Sequence, residues 1–282
     1  LRRNIRRRVQ YWQTSLGGME MASEPVFSHR ACYVNFAEHL LNHWNANVLF
    51  PEGPCQWGKE DWRAFLRELA AFGYSHFEYW LAPTFFDKRA LSGEGVWGAM
   101  AERMRLVNDL AHEVGLKTKL IASPGVMGAE WYFPCPKVKE DREAIFALWS
   151  HWLRELEGTD LIGIFPGDPG GCNRNGCDAT TFIDLALDLS ALIKRLSPSS
   201  AIEVGTWGTP FSGWGDDLVH IPGWDGSWEM LIDPKYSTPE TPAHIWNGKP
   251  DRADTAMEYL LKRLPEFPED TQVAINLGFD PD

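Results

Sequence analysis

Short apolar runs alternate with longer amphipathic ones along most of the chain, and that alternation predicts its elements. Ala31-Cys32-Tyr33-Val34-Asn35-Phe36 reads as a strand, followed by a loop rich in Asn, Trp, Pro and Gly through Gly58. From Glu60 to Phe72 the residues Trp62, Phe65, Leu66, Leu69 and Phe72 fall on one helical stripe, and Gly73 supplies the stop. A second strand, His76-Phe77-Glu78-Tyr79-Trp80-Leu81, comes next. The unit then repeats. Helices from Trp97 to Val114, Lys139 to Glu157, Thr181 to Leu196 and Thr255 to Leu264 lead to strands 118–122, 161–165, 201–206 and 272–277.

Alternation of strand and helix implies a parallel sheet with helical crossovers, so the fold class is α/β. A doubly wound sheet and a (β/α)8 TIM-like barrel both satisfy the pattern. The barrel is favoured for two reasons. No Gly-x-Gly-x-x-Gly turn follows the first strand, and Asn35, Glu78, Glu203 and Asn276 place polar groups within strands, as a barrel interior near its catalytic mouth would. Six strands make a barrel incomplete at its C-terminal end. Residues 28–282 are read as that truncated (β/α)-barrel domain, and residues 1–27 as a helical linker arriving from an upstream region.

Composition narrows the partners. The formal net charge is −12, and the basic start at Arg2, Arg3, Arg6, Arg7 and Arg8 stands alone, which argues against nucleic acid. No apolar run reaches the roughly 18 residues of a membrane span. The unusual count is 14 Trp, several of them in Gly/Pro-rich loops where core packing explains them poorly. Of the five cysteines, Cys172 and Cys177 suggest a local disulfide or thiols ahead of a metal site, because the spacing supplies no further ligands.

In barrels of this kind the chemistry sits at the carboxyl ends of the strands and in the loops after them. Period-two alternation puts His76, Glu78 and Trp80 on one face of the second strand. It likewise groups Glu203, Gly205 and Trp207 on the fifth strand, and Asn276, Gly278 and Asp280 on the sixth. A carboxylate is not placed against a helix layer without a partner, so these faces are expected to look inward. Carboxylates and tryptophans then converge on one mouth, which suits a sugar: C–H faces stack on indoles and hydroxyls bond to carboxylates and amides. Hydrolysis of a glycosidic bond uses two carboxyl groups. The catalytic candidates are Asp168, which follows the fourth strand in a Gly/Pro-rich turn, then Glu203 and Glu78. Asn35, Trp80, Trp131, Trp207, Asn276 and Asp280 are the substrate-binding candidates. Each has a plainer reading: an Asx turn for Asp168, a buried structural ion pair for Glu203, core packing for the tryptophans.

The stretch Phe165-Pro166-Gly167-Asp168-Pro169-Gly170-Gly171-Cys172 resembles the fourth-strand region of a clan of barrel glycoside hydrolases that includes β-hexosaminidases and α-glucuronidases. The order before it is similar too: a first strand led by Arg30, a helix ending at Gly73 and an aromatic second strand, the likeness running over about residues 28–210. The resemblance implies a glycosidase acting on a polysaccharide or oligosaccharide without an organic cofactor, and because polysaccharide degraders work outside the cytoplasm the expected location is extracellular or periplasmic. One departure matters. β-Hexosaminidases place an Asp-Glu pair after this strand, whereas here Pro169 follows Asp168, which speaks against a substrate-assisted mechanism and fits an α-glucuronidase-like arrangement better. The alternatives are a non-catalytic carbohydrate-binding barrel and a metal-dependent sugar isomerase or lyase.

Overall fold

The computed structural model describes residues 27–35, 57–81, 86–125, 127, 132, 134–165, 175, 177, 179–206 and 258–275. Six parallel strands pair in chain order: β1 (Ala31–Asn35), β2 (His76–Leu81), β3 (Lys117–Ala122), β4 (Leu161–Ile164), β5 (Ala201–Thr206) and β6 (Thr271–Ile275). Between them run α1 (Lys59–Ala71), α2 (Gly95–Glu113), α3 (Lys139–Glu155) and α4 (Ala179–Leu196). Among the described residues the expected elements are present, and their described ends coincide with expectation or differ by one or two residues. A 3-10 turn at Lys88–Ser92 was not anticipated, and residues 258–263 are helical before a second 3-10 turn at Leu264–Glu266, where Pro265 takes over. The expected linker over residues 1–27 lies, all but Phe27, outside the described residues.

Strand order discriminates between the two parallel architectures. A doubly wound sheet reverses its order at a switch point; here each strand adds beside the one before it. Right-handed crossovers in a one-directional run carry every helix to the same face. A barrel wall shares that progression with any singly wound parallel sheet.

The helices form for local reasons. In α1, Glu60 and Asp61 occupy the first turn, where negative charge meets the positive end of the helix dipole, and the Asp61 carboxylate accepts the Gly58 N–H at 3.1 Å. Trp62, Leu66 and Leu69 make its buried stripe. Gly73 and Gly115 end α1 and α2 in the left-handed conformation, each with φ of 81°. In α3 the buried face is heavier: Ile145, Leu148, Trp149, Trp152 and Leu153.

Alternation then sorts each strand into an outer, helix-facing side and an inner side. On β2, Phe77, Tyr79 and Leu81 are buried, and the Phe77 ring meets Trp62 of α1 edge-on at 5.8 Å. His76, Glu78 and Trp80 take the opposite, inner face. At the amino ends of the strands a polar knot replaces apolar packing. Asp160, just before β4, accepts the Thr118 N–H at 2.8 Å and the Thr118 hydroxyl at 3.1 Å, and pairs with His112 Nε2 at 2.8 Å. Burial opposes its charge, but these donors win and hold its carboxyl below the ordinary range. Among the described residues no helix is long and apolar enough to cross a membrane.

One aromatic ring fixes the inner face. Phe165, 7% exposed, follows β4 and lies across Gly163 and Gly205. A Cβ at Gly205 would stand 2.2 Å from the ring, and one at Gly163 2.8 Å. Gly205→Ala is therefore expected to lower stability by about 1–3 kcal/mol through overpacking. In a Phe165→Leu background the same change should cost clearly less. Urea midpoints of the four proteins give the coupling, and strictly additive losses would show that the ring is not what excludes the methyl.

Candidate active site

Strand register brings the candidate residues together on the inner face. In a parallel sheet, registered residues project to the same side. Glu78 is registered with Tyr33 of β1 and Lys119 of β3; Trp80 with Asn35 and Ile121. Gly163 of β4 is registered with Ile121 on one side and Glu203 of β5 on the other, and Glu203 in turn with Gln272 of β6. Glu78, Lys119 and Glu203 are each the third residue of their strand. Register sets Glu78 level with Lys119, and Glu203 level with Gly163, Ile121 and Trp80, one inward-facing step further along, so the charged layer is staggered across the sheet.

Lys119 joins the two carboxylates. Its Nζ lies 3.0 Å from Glu78 Oε2 and 2.5 Å from Glu203 Oε1. The side chains are 6%, 15% and 8% exposed for Lys119, Glu78 and Glu203, so all three charges are largely withdrawn from water. Glu203 Oε1 meets the ammonium at contact distance but outside hydrogen-bond angles, so the contact is chiefly electrostatic. Nζ also stands 5.5 Å from the centre of the Phe165 ring, within cation–π range. Two carboxylates and one ammonium leave one net negative charge in the layer.

The sequence reading had grouped Glu78 and Glu203 by alternation but had passed over Lys119. Its signal was present: a lysine in the middle of Lys117-Thr118-Lys119-Leu120-Ile121-Ala122, at a position where a central strand normally carries an apolar residue. What was missing was the register that sets it beside Glu78. The ammonium lies between the carboxylates, where a two-carboxylate site would have to receive a sugar ring. That is the ion-pair geometry weighed for Glu203. Of the other candidates, Trp80 packs on the edge of the core and Asn35 is its registered neighbour on β1. Asp168, Trp131, Trp207, Asn276 and Asp280 lie outside the described residues. Among the described residues no cluster of three or more His, Cys, Asp or Glu side chains is arranged to hold a metal ion.

Toward the amino ends of the strands the inner face carries a histidine pair. The His29 and His76 rings stack at 3.9 Å between centroids, and Ser75 Oγ lies 2.7 Å from His76 Nδ1. Burial lowers the pKa of His29, and the Lys119 charge lowers it further against the opposing pull of Glu203 and Glu78. Burial, the stacked His29 and Lys117 depress His76 to about 4.

No protein-family model and no curated protein matches the chain. Solved structures do resemble it. One described as CpGH84B aligns over 89% of this chain and 33% of its own, with a TM-score of 0.51 and 12% identity. A mutant O-GlcNAc hydrolase of Thermobaculum terrenum aligns over 77% of this chain and 37% of its own, at a TM-score of 0.44 and 13% identity. A crystal structure of a glycoside hydrolase aligns over 76% and 70%, at a TM-score of 0.44 and 17% identity. The chain spans about a third of the length of the first. What it shares with that structure is the fold.

Two measurements probe this layer. Lys119→Met leaves two buried carboxylates without their cation and is expected to lower stability by about 3–5 kcal/mol near pH 7. Lys119→Met with Glu203→Gln should recover a good part of that loss; equal denaturant midpoints for the single and double variants would mean that the charges are not coupled. The histidine pair sets a pH dependence. Above its ordinary value of 6.5, His76 is neutral folded and unfolded, and its contribution is complete. As pH falls from 6.5 toward about 4, the unfolded chain takes a proton that the folded one refuses, so stability drops. For a half-buried ring the loss should be about 1–2 kcal/mol. His76→Phe keeps the stack and should flatten part of the slope, whereas an unchanged profile would assign it to other groups.

Proposed function

We propose that this chain is the greater part of a (β/α)8-barrel domain of a glycoside hydrolase, acting on a polysaccharide or oligosaccharide outside the cytoplasm. The single observation that carries this reading is the sequential parallel sheet with a charged, aromatic-capped inner face, in a fold shared with CpGH84B. Sequence order sets Asp168 three residues after Phe165, in the loop that leaves β4. Loops leaving the carboxyl ends of barrel strands are where substrate meets catalytic groups. Asp168 is read as the catalytic carboxyl. Glu203 and Glu78 are read as the carboxylates that set the charge of the site from below, with Lys119 holding both in place. Asn35, Trp80, Trp131, Trp207, Asn276 and Asp280 are read as the sugar-binding rim, the indoles stacking on pyranose faces and the polar groups bonding to hydroxyls.

A second reading is favoured by one observation. Lys119 already engages both Glu78 and Glu203, so a chain with no other competent carboxyl would bind carbohydrate without cleaving it. The full-length protein, screened on chromogenic glycosides that include uronic acids and hexosamines, separates the two. Turnover that falls by about 100-fold or more in Asp168→Asn, with the melting temperature unchanged, supports a hydrolase with Asp168 in its machinery. Turnover that survives the change keeps the hydrolase and removes Asp168 from catalysis. Sugar binding without turnover on any substrate selects the binding barrel.

A further inference from the structure

Cys135 and Cys177 come from separate loops, 42 positions apart in sequence, and meet with their sulfurs 3.7 Å apart. Both are buried, at 0% and 5% exposure, with Val138 packed against them. Cys135 lies between β3 and α3, and Cys177 between β4 and α4. Sequence spacing had pointed to Cys172 as the neighbour of Cys177; the structure brings Cys135 to it, and Cys172 lies outside the described residues.

The surroundings hold this meeting in place from both sides. The Asp141 carboxylate, in the first turn of α3, accepts the Cys135 N–H at 2.8 Å and the Tyr132 hydroxyl at 2.7 Å. Asn175, in the left-handed conformation with φ of 55°, donates its side-chain amide to Cys135 Sγ at 3.3 Å. Lys137 Nζ donates to the Asn175 carbonyl at 3.2 Å. Two hydrogen bonds therefore cross between the two loop ends, and the sulfurs stand at van der Waals distance. A bond length of about 2.05 Å is reached from there by side-chain rotation and a small approach of loop backbone.

We propose that Cys135 and Cys177 are a disulfide site, closed when the protein matures in the presence of a disulfide oxidant such as oxidised glutathione. One cysteine thiolate attacks a glutathione sulfur, breaking its S–S bond and releasing one glutathione thiolate. The second cysteine thiolate then attacks the mixed disulfide at the protein sulfur, forming the Cys135–Cys177 bond and releasing the second glutathione. Two protein thiols are oxidised, one glutathione disulfide is reduced, and the two protons leave with the two glutathione thiols. The bond ties the end of the loop after β3 to the end of the loop after β4. In sequence, those segments also contain Trp131 and Asp168.

The test uses the full-length protein refolded in a reduced/oxidised glutathione buffer, alkylated and mapped by peptide mass spectrometry. A Cys135–Cys177 cross-linked peptide is expected, retained in Cys172→Ser and lost in Cys135→Ser. The oxidised form should melt about 5 °C or more above the reduced form, because the link closes a long loop. A Cys172–Cys177 peptide, full alkylation of both cysteines, or stoichiometric zinc in the native mass spectrum would overturn the proposal. Because Cys172→Ser leaves the pair intact, misfolding of Cys135→Ser does not blur the result.

Discussion

A lysine ammonium withdrawn from water on the inner face of a parallel sheet is tolerable only if negative charge lies against it, and most of this inner face follows from that requirement. Lys119 is 6% exposed and meets Glu78 on the neighbouring strand and Glu203 two strands away. Removing a charge from water costs several kcal/mol per ion, which attraction offsets only when the geometry is good. The layer is therefore best understood as a device of specificity rather than of net stability. It can be satisfied only with β2, β3 and β5 in register, since a slip of one residue would turn each charge toward the helices. An apolar layer would accept several registers; this one accepts one.

The layers on either side of the charges are shaped to fit them. Gly163 and Gly205 leave a shelf without side chains on β4 and β5, and the Phe165 ring occupies it. A larger residue at either glycine would push the ring off the shelf and uncover the ammonium that faces it. Toward the amino ends, the His29–His76 stack borders the charged layer with rings that remain neutral at ordinary pH. A second cation there would compete with Lys119 for the same carboxylates. The inner face thus runs from neutral imidazoles through a compensated charge layer to an aromatic cover, while the outer face is a conventional apolar seam against four helices.

How much of this was legible in the sequence depends on the range of the interaction that decides it. Helices and strands are fixed by local periodicity and by glycine stops, so Gly73 and Gly115 marked their helix ends correctly from spacing alone. The inward face of β2 was legible because period two is intrinsic to a strand. Lys119 was not recognised because its meaning is relational: only pairing with β2 shows that it stands beside Glu78. The same holds for Cys177, which meets Cys135 of the preceding loop in space. Local spacing draws attention to Cys172, which lies outside the described residues, whereas the approach of Cys135 depends on topology. The 3-10 turn at Lys88–Ser92 rests on a small interaction that no periodicity carries, with Asp87 accepting the Arg89 N–H at 2.8 Å and pairing with its guanidinium.

The position of the charged layer also bears on what the fold can do. Glu78 and Glu203 sit mid-strand, under Phe165, and their charge is shared with an ammonium that touches both. Groups so enclosed reach beyond the inner face through their field rather than by contact, because the lysine and the phenyl ring lie against them. Chemistry by contact belongs to side chains one layer higher or in the loops above, where Trp80 and the segments after β3, β4 and β5 begin. A parallel sheet gains from such a division. The buried charges hold the strands in register whatever the loops carry, so the loops are at liberty to specify the sugar. The charge layer would then serve the wall it builds, and the proposed catalytic carboxyl, Asp168, lies by sequence in the loop after β4.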